Sequence, residues 1–363
     1  MSARDGMPMD PPRDPAQDGR DLLACKALLR DGSRTFLAAS HLLPRDTRDA
    51  ACALYAFCRL ADDAVDLGGA PEQAVAQLRA RLDGIYSGQP QDIPADRALA
   101  VVARRHELPR GLLDALIEGF EWDAQRRRYA DVGGVLAYSA RVAGAVGAMM
   151  AVLMGVRDRP TLQAACDLGV AMQLSNIARD VGEDARAGRL YLPLDWLREQ
   201  GIDPEAWLAQ PQFDARLGSV VQRLLRLADE LYVRGDAGIR ALPRGCQVGV
   251  LAASRLYAEI GRQVARNRYD SVSVRAVVSG RRKLQVLGNA WVSGLATQLA
   301  SVSPAAAQTA FLLDAVPPRQ HRYLHLRTSL VPWWRLRTRA LRMLDIVEQL
   351  ETRKFVRRQD LTG

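Results

Sequence analysis

The chain has 363 residues, 48% of them hydrophobic, ample for a sizeable core in one large domain or two smaller ones. Aromatics are only 6%, helix formers dominate and alternating strand-like runs are scarce, so an all-α fold is expected. Five scattered cysteines without a Cys-x-x-Cys pair, and four histidines without zinc-like spacing, argue against a disulfide framework and against zinc chemistry.

Residues 1–20 are rich in Pro, Asp and Arg and lack an apolar segment, which predicts a disordered tail and no signal peptide. A helix is predicted from 21 to about 30, followed by Asp31-Gly32-Ser33-Arg34-Thr35-Phe36. Leu43-Pro44 then punctuates. Asp46 or Thr47 is positioned to cap the next helix, and Gly68-Gly69 to end it. Helices are predicted at 71–86, 97–107 and 110–127. The uncharged run Val142 to Val156, heavy in Gly and Ala, falls short of a membrane span and predicts a buried helix. A long helix is predicted from about 160 to 185 with a turn at Gly188, and further periodic segments at 213–240, 246–267 and 275–300. Pro304 and Pro317-Pro318 mark a looser region. The simplest partition is one helical domain over 21–300 and a basic, partly helical extension over 301–363.

The net charge of +9 is concentrated in that extension: residues 319–358 hold 11 Lys or Arg against 3 Asp or Glu. With Trp333, Trp334 and apolar residues at helical spacing, the segment fits a helix lying on an anionic membrane surface. A terminal helix packed on the domain with a solvated basic face fits equally well. No nucleic-acid-binding module accompanies the charge, so nucleic acid is not an expected partner.

Asp-x-x-x-Asp occurs five times: Asp10/Asp14, Asp14/Asp18, Asp62/Asp66, Asp92/Asp96 and Asp180/Asp184. Three pairs enclose a proline, which disfavours a helix interior. The other two extend into single polar stripes on otherwise apolar helices: Tyr55, Arg59, Asp62 and Asp66 on one, Gln173, Asn176, Asp180 and Asp184 on the other. Carboxylates stacked one turn apart repel unless a cation lies between them, and hard oxygen ligands suit Mg²⁺ or Mn²⁺. Magnesium commonly binds through one or two carboxylates plus substrate phosphates, so two such stripes facing each other would hold a diphosphate.

These residues resemble the squalene/phytoene synthase family of head-to-head trans-isoprenyl diphosphate synthases. The resemblance rests on Ser33-Arg34-Thr35-Phe36 with Leu42-Leu43-Pro44, on Tyr55 to Asp66, on Tyr138 to Gly147, and on Gln173 to Asp184 continuing into Ala185-Arg186-Ala187-Gly188-Arg189-Leu190-Tyr191-Leu192-Pro193. Weaker matches follow at Tyr257-Ala258-Glu259-Ile260, Arg275 and Arg282-Lys283, so it spans about 21–290 and leaves the extension unexplained.

The resemblance implies the all-α isoprenoid-synthase bundle with a central cavity lined by two Asp-rich helices. It implies that Asp62 and Asp66 hold Mg²⁺ or Mn²⁺ against one diphosphate, and Asn176, Asp180 and Asp184 against another. It implies that Ser33, Thr35, Arg59 and Arg179 contact diphosphate oxygens and that Tyr55, Gln173, Tyr257 and Arg275 bind substrate. The implied reaction joins two geranylgeranyl diphosphates through a cyclopropyl diphosphate to phytoene, without NADPH. Squalene or dehydrosqualene formation from farnesyl diphosphate is the alternative. A tyrosine or the released diphosphate could serve as the final base. A catalytically silent binding protein would show a broken stripe, and both stripes are intact. The expected location is the cytoplasm, with the tail as a candidate contact to the inner membrane face.

Overall fold

The computed structural model describes residues 14–32, 34–67, 71–293 and 307–318. Ser33, Gly68-Gly69, the side chains of Thr35 and Asp66, residues 1–13 and the basic tail 319–358 lie outside the described residues. Among the described residues there is no strand. The helices are α1 (Pro15–Gly32), α2 (Arg34–Ser40), α3 (Arg45–Leu67), α4 (Pro71–Ser87), α5 (Pro94–Arg105), α6 (Arg110–Ala124), α7 (Val132–Ser139), α8 (Ala145–Leu153) and α9 (Arg159–Arg186). They continue with α10 (Leu194–Glu199), α11 (Pro204–Ala209), α12 (Ala215–Gly238), α13 (Arg244–Arg266), α14 (Gly280–Ser293) and α15 (Ala310–Asp314). A π-helical turn, Ala140–Gly144, joins α7 to α8 without a break.

Local chemistry sets several of the helix starts. Asp131, Asp158, Asp203 and Asp214 each accept a backbone N–H three residues on, capping α7, α9, α11 and α12, and Pro160 and Pro204 stand in first turns, where the missing N–H costs nothing. Asp46 and Thr47 do not cap α3; the helix starts at Arg45, and the Arg48 N–H donates to the Pro44 carbonyl at 2.8 Å. The tail boundary also shifts. Residues 15–20 form the first turns of α1, with Pro15 at its start and the Ala16 N–H donating to Asp14 Oδ1 at 2.9 Å. Proline is excluded from helix interiors, not from this position.

The central element is α9, packed against α8, the π turn, α12 and α13. A methyl group on Gly169 would overlap the Ala143 carbonyl oxygen, so α9 and the π turn meet backbone to backbone. The continuous helix Val132–Leu153 is long and apolar enough to cross a membrane by length and composition, yet 56% of its most apolar window is buried inside this bundle.

The two carboxylates of one pair set aside in the sequence, Asp92 and Asp96, find arginine partners here. Asp96, fully buried, takes a bidentate bond from Arg81 (2.9 and 2.6 Å), and Asp92 pairs with Arg97. Arg97 also grips buried Asp21 at 2.8 and 2.6 Å, fastening α5 to α1.

Residues 307–318, past the expected domain end at 300, also pack on the bundle. Thr309, Leu312, Leu313 and Val316 are buried, and the Thr309 hydroxyl exchanges hydrogen bonds with buried Gln163 on α9. Phe311 packs on Arg141, whose guanidinium also covers Trp122. Apolar spacing around Leu312 and Leu313 wins over the flanking prolines, and the segment belongs to the bundle.

Gly169→Ala should lower stability by about 1–3 kcal/mol in urea unfolding, because neither backbone can retreat. Gly288→Ala, where an added methyl meets no atom within 4 Å, should leave stability unchanged or raise it.

Candidate active site

The two stripes lie on α3 and α9. On α3, Tyr55 stacks against Phe36 of α2, ring centroids 5.5 Å apart. Arg59 turns toward Asp63, with Nε–Oδ2 at 3.0 Å and Nη2–Oδ1 at 2.7 Å, while its Nη1 stays 3.8 Å from Asp62 Oδ2. Asp63 is thus a partner that the stripe pattern omitted, although it adjoins Asp62 in sequence. The Asp62 side chain is 46% exposed against 15% for Asp180, so the α3 stripe is more open than its apolar flanks suggest.

On α9 the stripe is tightly engaged. Arg179 binds Asp180 through Nε at 2.8 Å and through Nη2, and Arg275 Nε lies 2.8 Å from Asp180 Oδ1 and 3.2 Å from Glu183 Oε2. Burial alone would raise the Asp180 pKa. Hydrogen bonding and charge from Arg179, then Arg275, outweigh it and hold the carboxyl below its usual range. At Asp184, one turn on, the charge of Arg189 compensates only in part. Burial and the Asp180 charge push its pKa up to about 7.

Arg275 reaches α9 because Gly182 interrupts the helix surface between the two aspartates. The Gly182 N–H donates to Ser271 O at 2.9 Å, Arg186 Nη2 donates to Val272 O at 2.6 Å, and a Cβ on Gly182 would sit 2.6 Å from the Val272 oxygen. The missing side chain lets the 271–279 segment lie on the helix.

Above the aspartates, Gln173 and Asn176 line a cavity of about 250 Å³ between α2, α8, α9, α12 and α13. Its other walls are almost wholly apolar, from Phe36 and Tyr257 at one end to Met154, Ile239 and Leu242 at the other. Tyr257 belongs to the polar end, since the Tyr55 and Arg179 pKa values both feel its charge. From Asn176 back to Thr161, the lining residues of α9 cover about 15 positions, or roughly 22 Å of helix at 1.5 Å per residue. The lining residues describe an apolar bore that runs from Gln173, Asn176 and Tyr257 toward Met154, Ile239 and Leu242, with Asp180 and Arg179 following Asn176 on α9.

Of the sequence candidates, the structure brings Gln173, Asn176 and Tyr257 onto one cavity, and Arg179, Asp180 and Arg275 into one hydrogen-bonded group. On α3, Tyr55 lies within electrostatic reach of Tyr257 as well as of Arg59 and Asp62. Sequence reasoning gave no role to a cluster on the far side of Asp184. Tyr138 donates to Asp123 Oδ2 at 2.8 Å and Tyr191 to Asp123 Oδ1 at 2.6 Å, with the two rings stacked 5.0 Å apart. Burial pushes both phenols well up, and the Asp123 charge contributes to the raised Asp184 pKa. Tyr138 and Tyr191 stand in two of the matched sequence blocks. Nothing in the spacing of Asp123 announces that it joins them.

The donor set fits a hard divalent cation shared with a ligand. Asn176 lines the cavity, and its buried Oδ1 accepts no hydrogen bond. The neighbouring donors Asp180 and Asp184 are carboxylate oxygens. Among the described residues no three His, Cys, Asp or Glu side chains converge to hold an ion alone.

The squalene/phytoene synthase family model matches residues 29–283. A phytoene synthase of Rhodobacter capsulatus is 51% identical over 317 residues, covering 85% of this chain and 93% of that protein. A phytoene synthase of Cereibacter sphaeroides is 49% identical over 341 residues, covering 91% and 94%. Among solved structures, a dehydrosqualene synthase in complex with ligand superposes with a TM-score of 0.71 at 28% identity, covering 76% of this chain and 97% of that one. The squalene synthase HpnC of Alicyclobacillus acidocaldarius shares the fold, with a TM-score of 0.64 at 22% identity over 70% and 97% of the two chains.

The raised Asp184 pKa sets a stability signature for the metal-free protein. Between about pH 4 and pH 7 the folded state holds a proton on Asp184 that the unfolded state has lost, so this group's contribution falls as pH rises through that window. Asp184→Asn should therefore gain melting temperature relative to the parent as pH goes from 5 to 8 in EDTA, a difference that thermal unfolding at each pH would read.

Proposed function

The chain belongs to the squalene/phytoene synthase family, and from that premise we propose that it joins two geranylgeranyl diphosphates head to head into phytoene, in carotenoid biosynthesis. The observation that carries the chain length is the bore itself. Its roughly 22 Å along α9 matches an extended chain of 16 main-chain carbons, roughly 20 Å at about 1.25 Å advance per carbon, better than the roughly 15 Å of a farnesyl chain. The farnesyl alternative, squalene or dehydrosqualene formation, is correspondingly less supported.

In the first half-reaction the allylic C–O bond of one substrate breaks. Arg179 and Arg275, beside Asp180, supply positive charge where diphosphate departs, and Arg59 does the same from α3. Divalent cations, Mg²⁺ or Mn²⁺, would be held by Asp62, Asp66, Asn176, Asp180 and Asp184, and would neutralise the leaving diphosphate as Lewis acids. Ser33 and Thr35 are assigned to diphosphate contacts, and Tyr55, Gln173, Tyr257 and Arg275 to substrate positioning.

The allylic cation adds to the double bond of the second substrate, and proton loss closes a cyclopropane that still bears one diphosphate. Loss of that diphosphate, rearrangement and a second proton loss give phytoene, with no change in redox state overall and hence no requirement for NADPH. The apolar walls exclude water from the cation. Tyr138 and Tyr191 hold their protons, so neither phenol is a ready base; the released diphosphate fills that role more readily.

A hydrocarbon product needs a lipid phase to receive it. We place the protein in the cytoplasm, in peripheral contact with the inner membrane face through the basic, tryptophan-bearing segment 319–358. Nucleic acid has no part in this reading.

Purified protein with Mg²⁺ and the C20 diphosphate should yield phytoene without reductant, whereas a C30 product from the C15 diphosphate alone would favour the alternative. Asp62→Ala or Asp180→Ala should cut turnover at least about a hundredfold with the helical CD spectrum intact. Truncation after residue 318, which spares the packed segment 307–318, should weaken sedimentation with phosphatidylglycerol vesicles; unchanged binding would assign the tail to packing.

A further inference from the structure

Three interhelix turns gather at the end of the bundle farthest from Asp180. Met154 caps α8, Gly155 follows with φ 85°, and Asp158 starts α9. Ile239 opens the short 3-10 turn after α12, and Leu242 precedes the Pro243 that starts α13. Leu43-Pro44 links α2 to α3 and packs on α13 at Gly245 and Gly249.

The helix registers agree on this polarity. On α12, Gly235 lies against Leu168 and Gly238 against Ala164 and Thr161, so α12 runs antiparallel to α9 and delivers Ile239 and Leu242 beside Thr161. On α8, Gly147 lies against Ala165, and two turns later Met154 reaches the same level. Each turn puts large apolar side chains on the cavity. The walls between mouth and floor carry Ala143, Gly147, Ala164, Ala165, Gly169 and Ala253, which leave its length open.

We propose that Met154, Ile239 and Leu242 form the chain-length stop of the cavity, admitting a prenyl chain of four isoprene units and excluding a fifth. This rests on the prenyl diphosphate reading above. A fifth unit needs roughly 25 Å of extended chain against the roughly 22 Å available along α9. Ile239, β-branched and stiff, is the firmest part of the stop, and Met154 the most adaptable. Because the three residues belong to turns and not to helix bodies, they can change size without breaking a helix–helix interface, which makes this floor the place where chain length is set independently of the diphosphate end.

The test uses the full chain with C15, C20 and C25 all-trans prenyl diphosphates mixed in equal amounts, reading the consumption ratio. A ratio within one tube does not depend on how much of a variant is active. Met154→Ala and Ile239→Ala should raise C25 relative to C20 consumption at least about tenfold, and Ala253→Phe, which fills the bore between Val250 and Tyr257, should raise C15 relative to C20 by a similar factor. Should a variant lose turnover, its thermal stabilisation by unreactive thiolodiphosphates of the three lengths supplies the same ratios. Ratios equal to the parent's in both truncated variants would overturn the stop, as would an unchanged ratio in Ala253→Phe. Failure of the parent to consume any of the three would instead overturn the prenyl diphosphate reading.

Discussion

Everything at this site depends on carboxylates held one helical turn apart in a setting too dry to keep them all charged. Asp180 stays ionised because Arg179 and Arg275 grip it. At Asp184 the charge of Arg189 offsets burial and the charge of Asp180 only in part, and its pKa is pushed up to about 7. Burying like charges together costs stability unless a cation or a proton intervenes. A helix that carries such a stripe through the middle of a bundle is tuned to receive positive charge. The buried, unpaired oxygen of Asn176 one turn above continues the same demand.

The rest of the bundle serves that constraint. Gly182 opens the surface of α9 to the 271–279 segment, which brings Arg275 to Asp180. Gly169 and Gly147 draw the π turn and α8 onto α9, so the cavity walls are small residues on closely spaced helices. Residues 307–316 fasten over the π turn, with Leu312 against Gly144 and Thr309 bonded to Gln163. That segment lies past the residues matched by the family model, so the fold here extends beyond the shared core. The charged end and the apolar bore are thus built by the same few helices, and α9 belongs to both.

Much of this was legible in the sequence because it is local. Helical periodicity located α3, α9, α12 and α13, and proline separated the accidental aspartate pairs from the two on long helices. The rule was too strict at its margin: Pro15 begins a helix, where its ring and missing N–H do no harm. Long-range partners were not legible. Asp123 meets Tyr138 and Tyr191 across three separate elements, and Arg59 chooses Asp63 over Asp62 through side-chain geometry that spacing does not encode. The docking of 307–318 was hidden by its prolines, since only the folded bundle offers the groove that Leu312 and Leu313 fill.

The central claim is that the two stripes and a diphosphate take up divalent cations together, neither sufficing alone. Titration calorimetry of the full chain with inorganic diphosphate, with and without Mg²⁺, tests this most directly. The account predicts weak binding of either component alone, tight binding when both are present, and loss of that synergy in Asn176→Leu. Diphosphate binding of equal affinity in EDTA and in Mg²⁺ would contradict it.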